Sequence, residues 1–382
     1  MSIEPIRKIT LSDGTVRYRV VVDAGRKPDG SRAQRTSTHR TRREAREWLA
    51  AVRSDLTRGT YVAPQRTTLN EHLDTWLEGK RDIRPATRRS YVDGMKPVRQ
   101  MLGHKNLQDI TKTDLEALVT TMLASGGRQG AGRSPRTVTM MLVVLQQALQ
   151  DAVRQGLLVR NVASLVQKPR QVHHEMSSWT LEQTRNFLAH VADDRLHAAW
   201  VLTMHGLRRG EVLGLRWTDL ILDGPEPSLA VRQTRVLVHA SVVTIGEPKT
   251  ARGRRVLPLP AGLVAALRDL SDRQASERQL AGAAYGDTGL VVVDELGHPL
   301  RLERYGDTFR RHARDAGLPD MRLHDARHTA ASLMLALGYP VHVVAAWLGH
   351  DPVMTQRVYA HVHAAEMRSL GDAFGRAITR DL

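Results

Sequence analysis

Cysteine is absent from this chain of 382 residues, and so is any long apolar run. Without cysteine the chain has no disulfide bond, no cysteine nucleophile and no thiolate metal site. No apolar stretch reaches the length of about 18 residues that a membrane span needs, and the first residues lack the charged-then-apolar pattern of a signal peptide. We therefore expect a cytoplasmic protein with no membrane partner.

Lysine is scarce, with 8 residues against 48 arginines. One of the few, Lys249, falls in the turn-rich connection 246–253 between two predicted strands. Because arginine does not release a proton at ordinary pH, a lysine at this position is a mild indication of an amine that acts as a proton donor. A solvated turn lysine is the commoner explanation for such a residue taken alone.

The formal net charge is +16, and it is unevenly distributed. Residues 1–66 carry 15 Lys and Arg against 7 Asp and Glu, residues 67–170 carry 16 against 9, and residues 171–382 carry 25 against 24. The excess in the first two segments predicts that they bind a polyanion, while the last segment performs local chemistry. A basic surface that only confers solubility is the alternative.

Hydrophobic periodicity and turn signals divide the chain into three parts. Residues 1–60 are expected to form three short strands and a helix at 41–56, a basic module able to enter a major groove or simply to cap its neighbour. Residues 67–168 predict four helices, with start signals at Thr68, Pro85 and Ser134; a module for a partner protein would look similar. Residues 175–382 predict a mixed α+β domain. Its expected pieces are strands at 229–239, 241–245 and 254–259, a helix continuing through Leu215, and helices at 196–204, 261–280 and 305–316.

The segment 322–361 concentrates side chains that bind, protonate or attack a phosphate. These are His324, Arg327, His350 and Tyr359. His324 and Arg327 are three residues apart, so a helix would place both on one face. Gly349 is expected to end the preceding apolar helix as its C-cap and to present His350 just beyond it. Such a set is unusual for a hydrophobic core, although each residue alone has an ordinary structural explanation.

These residue types suit a phosphodiester transfer through a covalent intermediate. The transfer needs a nucleophile, cations on the non-bridging oxygens and a proton donor for the leaving alkoxide, which Tyr359, Arg208, Arg327, Lys249 and the two histidines supply. A phosphotyrosine would conserve bond energy and allow rejoining without ATP. Arginines carry the required charge here, and no acidic cluster of a two-metal nuclease is present, so we expect no metal and no cofactor.

Five motifs occur in order between residues 206 and 361. They are Gly206-Leu-Arg208-Arg209-Gly210-Glu211, Pro248-Lys249-Thr250 followed by Arg254-Arg255-Val-Leu-Pro-Leu, His324-x-x-Arg327, Leu348-Gly349-His350, and Thr355 through Tyr359-Ala-His361. With them the chain resembles the tyrosine recombinase (phage integrase) family, and specifically integrases with an additional N-terminal arm-binding domain. His205 stands where the family usually has a different residue.

The resemblance implies a multidomain fold, mainly α with small β elements. Residues 1–60 would be an arm-type DNA-binding domain of three strands and a helix. Residues 67–168 would be a SAM-like four-helix core-binding domain. Residues 175–382 would be the mixed α+β tyrosine recombinase catalytic domain, ending in a helix at 364–378 that docks on a neighbouring protomer or packs on its own chain.

The resemblance also implies a role for each motif residue. Tyr359 would attack the scissile phosphate, leaving a 3′-phosphotyrosyl bond and a free 5′-hydroxyl. Arg208 and Arg327 would clamp the phosphate, with Arg209 as the neighbouring alternative to Arg208. Lys249 would protonate the departing 5′-oxygen. His324 would assist proton transfer, His350 would hydrogen-bond the phosphate, and Glu211 would orient the arginines.

An integrase would act on double-stranded DNA attachment sites as a homotetramer, at the nucleoid of a bacterial host. The family allows for an excisionase and a host DNA-bending protein as further partners. Within the same chemistry, a chromosome-dimer-resolving recombinase and a type IB topoisomerase are alternatives. From another class, the chain could be a catalytically silent, sequence-specific DNA-binding regulator.

Overall fold

The N-terminal part of the protein is a three-stranded antiparallel sheet covered by one helix. The computed structural model describes residues 5–26, 32–58, 61–171, 178–239, 242–247, 251–353 and 355–356. Strands β1 (Ile6–Thr10), β2 (Val16–Arg26) and β3 (Arg32–His39) pair in that order, and helix α1 (Arg42–Thr57) follows. Val20 and Val22 of β2 are buried against Ala45, Leu49 and Val52 of α1.

The opposite face of this sheet is polar and basic. Because successive side chains alternate between the faces of a strand, the residues facing away from α1 include Arg7, Arg19 and Thr38. Arg7 is paired directly with Arg19, and Arg19 with Thr38, and all three are exposed. Like charges directly opposite one another destabilise a sheet, so this row is better suited to a bound polyanion than to the free protein.

Four helices follow, as the periodicity predicts. They are α2 (Leu69–Glu78), α3 (Pro85–Leu102), α4 (Lys112–Ser125) and α5 (Pro135–Arg154). Thr68 and Ser134 cap α2 and α5 by accepting backbone N–H bonds, and Pro85 opens α3. The apolar stripe of α5 is buried in the common core, where Leu145 and Leu149 have no exposed surface.

The remaining described residues form a mixed α+β region. Its helices are α6 (Leu181–His190), α7 (His197–Met204), α8 (Arg209–Val212), α9 (Ala261–Ala281), α10 (Leu302–Asp315), α11 (Asp325–Ala336) and α12 (Val341–Leu348). Strands β4 (Leu220–Ile221), β5 (Ser228–Val231) and β8 (Arg255–Pro258) form one antiparallel sheet in the order β4-β5-β8, and β6 (Thr234–His239) pairs with β7 (Val242–Gly246). Trp200, Tyr305 and Phe309 centre the core.

Two expectations for this region were wrong. The single strand predicted at 229–239 is two strands, because the chain leaves the sheet of β5 and begins a hairpin with β7. The helix predicted through Leu215 is only the four-residue α8. Beyond Val212 the chain bonds to distant segments instead: the Gly214 carbonyl accepts from Gln233 Nε2 at 2.7 Å, and the Leu215 carbonyl accepts from the N–H of Val291 at 2.9 Å.

The chain divides into two compact units, residues 1–172 and 173–382. The first contains the sheet, α1 and the four-helix core, and the second contains the mixed region. Among the residues described, no helix combines the length and apolar character that crossing a membrane requires.

Candidate active site

A glycine sets the position of Arg208. Helix α7 is followed by Gly206, whose φ of +89° belongs to the left-handed region that favours glycine. A Cβ at Gly206 would lie 2.5 Å from Cδ2 of Leu348, so any side chain here would have to displace that packed leucine. The turn directs the chain into α8, and Arg208 stands just before that helix with 37% of its side chain exposed.

Glu211 is a buried carboxylate that holds this arginine. Its Oε1 accepts a 2.6 Å bond from Arg208 Nη1, and its Oε2 accepts a 3.0 Å bond from the backbone N–H of Arg208. Arg255 donates to both oxygens as well. Burial would raise the pKa of Glu211, but the hydrogen bond and charge of Arg255, with the charges of Arg208 and Arg327, lower it below its ordinary value. The carboxylate is therefore ionised at neutral pH.

Arg327 lies beneath the site and is 2% exposed. Its Nη1 donates to the Gly206 carbonyl at 2.6 Å, its Nη2 to the Leu348 carbonyl and its Nε to His350 Nε2 at 3.0 Å. Its Nη1 is also 3.9 Å from Glu211. The three-residue spacing leaves Arg327 near enough to His324 for its charge to act on the ring. His324 is the N-cap residue of α11 and is exposed, whereas Arg327 points inward and ties the ends of α7 and α12 together.

His350 follows Gly349, which ends α12 in the left-handed conformation as predicted. Burial first, and then the positive charges of Arg327 and Arg208, lower the pKa of His350 to about 3, so its ring is neutral at neutral pH. Since Nε2 accepts the bond from Arg327, the ring proton is on Nδ1. His350 is thus a hydrogen-bond donor through Nδ1 at the edge of the arginine cluster.

His324 lines a basic cavity of about 620 Å³. Among the described residues, the lining cations are Arg208, Arg209, Arg235, Arg310 and Arg322, and no carboxylate lines the cavity. Partial burial of the ring and the charge of Arg327 lower the pKa of His324, so it is also unprotonated at neutral pH. The cavity suits an anion, and His324 is placed to accept a proton there.

The structure brings Arg208, Arg327 and His350 together around the turn at Gly349, whose carbonyl accepts a 3.3 Å bond from Arg208 Nη2. The charges of both arginines act on His324 too. The predicted residues Lys249 and Tyr359 lie outside the described residues. Within the described ranges, no three histidine, aspartate or glutamate side chains are grouped to hold a metal ion.

The sequence motifs include Arg255 but did not predict its role beside Glu211. It stands at the first position of β8, where its side chain is 7% exposed. A signal was present in the sequence: Arg254 and Arg255 begin the strand predicted at 254–259, and two consecutive side chains of a strand point to opposite faces. If one face of that strand is covered, one of the two arginines is buried and needs an acidic partner.

The sequence model of the phage integrase family matches residues 179–366, a range that holds every one of the motif residues. The chain belongs to this family. It is a tyrosine recombinase, an enzyme that exchanges DNA strands.

Relatives extend the similarity to most of the recombinase. A "Tyrosine recombinase XerC-like" protein of Caldanaerobacter subterraneus subsp. tengcongensis is 26% identical over 92% of this chain and 94% of its own length. An integrase of Streptomyces ambofaciens is 26% identical over 90% of this chain and 89% of its own length. With integrases among its relatives, the recombinase is a site-specific one, which cuts and rejoins DNA to integrate or excise a mobile element.

Solved structures show the same fold. The Tn1549 transposon integrase, solved with transposon right end DNA, matches with a TM-score of 0.65 at 19% identity, over 79% of this chain and 99% of that one. A lambda integrase tetramer bound to a Holliday junction matches with a TM-score of 0.57 at 18% identity, over 93% of this chain and 95% of that one. The multidomain, mainly α fold with small sheets is therefore as expected.

Proposed function

We propose that Tyr359 is the nucleophile of this recombinase and that Arg208, Lys249, His324, Arg327 and His350 complete its active site. The phenol oxygen of Tyr359 attacks the scissile phosphorus and the bond to the 5′-oxygen breaks, leaving a 3′-phosphotyrosyl bond. The phenol proton passes to His324, and the departing 5′-oxygen takes a proton from Lys249. Attack by a 5′-hydroxyl of the partner duplex reverses these transfers and releases the tyrosine.

The histidine states support this assignment. A neutral His324 in an arginine-rich cavity accepts a proton more readily than an imidazolium, which has no free lone pair. A neutral His350 with its proton on Nδ1 donates one hydrogen bond to a non-bridging phosphate oxygen.

The two arginines support different parts of the phosphate contact. Arg208 is partly exposed and held by Glu211, so it contacts the phosphate directly. Arg327 is buried, so it contributes mainly its charge from below and holds the turn that carries His350. Charge is more effective at a buried position because the surroundings screen it less.

The basic N-terminal unit supports a grip on DNA outside the active site. We assign residues 1–60 as the arm-type domain, because the exposed row of Arg7, Arg19 and Thr38 lies on the sheet face opposite α1. We assign residues 67–168 as the core-binding domain and 175–382 as the catalytic domain, which agrees with the separate hydrophobic cores.

The assembly is proposed by likeness. Because the lambda integrase is tetrameric on a Holliday junction, we propose a homotetramer of this recombinase on paired attachment sites, located at the bacterial nucleoid where such sites lie. An excisionase and a host DNA-bending protein would set the direction of the reaction.

The direct test is covalent capture on a nicked suicide duplex carrying the candidate attachment core, with EDTA present. We expect an SDS-resistant adduct from the native protein and none from Tyr359→Phe at matched DNA occupancy. Tyr339→Phe is the matched control, since Tyr339 is an exposed tyrosine outside the site, and it should form the adduct as the native protein does.

Each other outcome has a defined meaning. An equal adduct from Tyr359→Phe would move the nucleophile to another residue. No adduct from the native protein, despite tight binding to a confirmed site, would favour the silent DNA-binding regulator. Strand exchange between two copies of one chromosomal site, but not between element and host sites, would favour the chromosome-dimer-resolving recombinase.

A further inference from the structure

Arg255 touches three separate segments of the active-site region. Its Nη1 and Nη2 donate to the two carboxylate oxygens of Glu211, at 3.3 and 2.9 Å. Its Nε donates to the carbonyl of Trp347 near the end of α12, at 2.6 Å. Its Nη1 also reaches the carbonyl of Gly253 at 3.1 Å, in the connection that carries Lys249. All three nitrogens of one buried guanidinium are thus engaged.

We propose that Arg255 is a positioning residue of this recombinase, which fixes the phosphate-contacting Arg208 by holding the Glu211 carboxylate in a two-pronged grip. The inference rests on the proposed contact between Arg208 and the scissile phosphate. Arg255 itself touches neither the DNA nor the reacting atoms.

The geometry explains why a second arginine is needed. Glu211 is 3% exposed and binds Arg208 through one side-chain bond and one backbone bond. Both bonds come from Arg208, the residue that has to be held, so they give the carboxylate no support independent of it. The paired bonds from Arg255, whose planar fork matches the two oxygens, supply that support. Arg208 then meets a phosphate without first having to be ordered.

Lysine cannot replace this arginine. An ammonium group supplies the same charge, but it is a single point that cannot bridge both oxygens and also reach the Trp347 carbonyl. We expect Arg255→Lys to cleave the suicide duplex about 10- to 100-fold more slowly at saturating protein, the loss typical of a misplaced reacting group. Its affinity for the duplex should stay within a factor of about two, because Arg255 makes no DNA contact.

The matched control is Arg254→Lys on the neighbouring residue. Arg254 is 57% exposed and is paired with Glu247 on the surface, so the same substitution there should leave the cleavage rate unchanged. If Arg255→Lys does not fold, Glu211→Asp tests the same link, because its shorter carboxylate cannot meet Arg208 and Arg255 together.

A substrate with sulfur in place of the leaving 5′-oxygen separates the two routes by which Arg255 could act. A thiolate leaves without being protonated, since the pKa of a thiol is roughly 8.5. A defect in proton donation by Lys249 is therefore relieved on this substrate, whereas a defect in Arg208 persists because Arg208 acts on non-bridging oxygens. We expect the Arg255→Lys defect to persist and a Lys249→Ala defect to disappear.

A double-mutant cycle completes the test. If Arg255 acts through Glu211, Arg255→Lys combined with Glu211→Gln should cleave no more slowly than Glu211→Gln alone. Native cleavage rates in Arg255→Lys, relief of its defect by the sulfur substrate, or additive losses in the cycle would each overturn the assignment. No adduct from the native protein would instead overturn the proposed function on which it rests.

Discussion

Replacing Gly206 by alanine tests the packing that holds the site together. Gly206 combines a φ of +89° with a backbone that runs against α12. A Cβ there would lie 2.5 Å from Leu348 Cδ2 and 3.1 Å from Ala330 Cβ. The left-handed conformation costs an alanine about 1–2 kcal/mol, and the forced displacement of a packed core costs a further ~1–3 kcal/mol. We expect Gly206→Ala to lower the free energy of unfolding by about 2–5 kcal/mol.

The same substitution at Gly338 isolates the steric part. Gly338 has a φ of +84°, but a Cβ at that position would meet nothing within 4 Å. Gly338→Ala should therefore cost only the conformational share, about 1–2 kcal/mol. The measurement is urea unfolding of the two variants and the native protein, compared at unchanged m-values.

Activity should separate the two variants further. The Gly206 carbonyl accepts from Arg327, and Arg327 also holds Leu348 and His350, so moving Gly206 away from α12 disturbs the whole cluster. We expect slower adduct formation for Gly206→Ala at a temperature where it is folded, and native rates for Gly338→Ala. Equal losses of stability in both variants would refute the argument, because the contact with Leu348 would then carry no energy.

Three further predictions concern charge. With a pKa of about 3 in the folded protein and roughly 6.5 in the unfolded chain, His350 binds a proton only on unfolding between those values. Stability should therefore fall as the pH drops below about 6.5, with this group contributing about 2 kcal/mol between pH 7 and pH 5. Urea unfolding measured at several pH values should show a flatter dependence of stability on pH in His350→Gln than in the native protein. An unchanged dependence would contradict the lowered pKa. NMR titration of His324 in Tyr359→Phe should give a midpoint below 6.5, and this midpoint should rise when Arg208→Gln is added, since the Arg208 cation helps to lower the pKa. A midpoint that Arg208→Gln leaves unchanged would show that Arg208 does not act on His324. Arg19→Gln should weaken arm-site binding and reduce the salt dependence of that binding by about one counterion. It should not lower stability, because it relieves the repulsion between Arg7 and Arg19. Arg46→Gln, on the exposed side of α1, is the control and should change binding little.

Local signals in the sequence were sufficient for most of the secondary structure. Thr68, Pro85 and Ser134 start helices because a side-chain cap or a fixed proline φ acts within a few residues, and Gly349 ends α12 for the same kind of local reason. The length of α8 was not predictable in this way, since the hydrogen-bond partners of the residues just after it, Gln233 and Val291, come from later segments of the chain.

The sequence by itself determined the family, the order of the motifs and the chemical types that the site contains, because spacing and residue type are written in the chain. Only the tertiary structure decided which of those residues are buried, which are exposed and which pair with one another. The three-residue spacing of His324 and Arg327 could not tell which of them faces the core, since that depends on where α12 packs. Nor could it pair Arg255 with Glu211, 44 positions earlier, because a buried charge takes whichever partner the fold brings within reach.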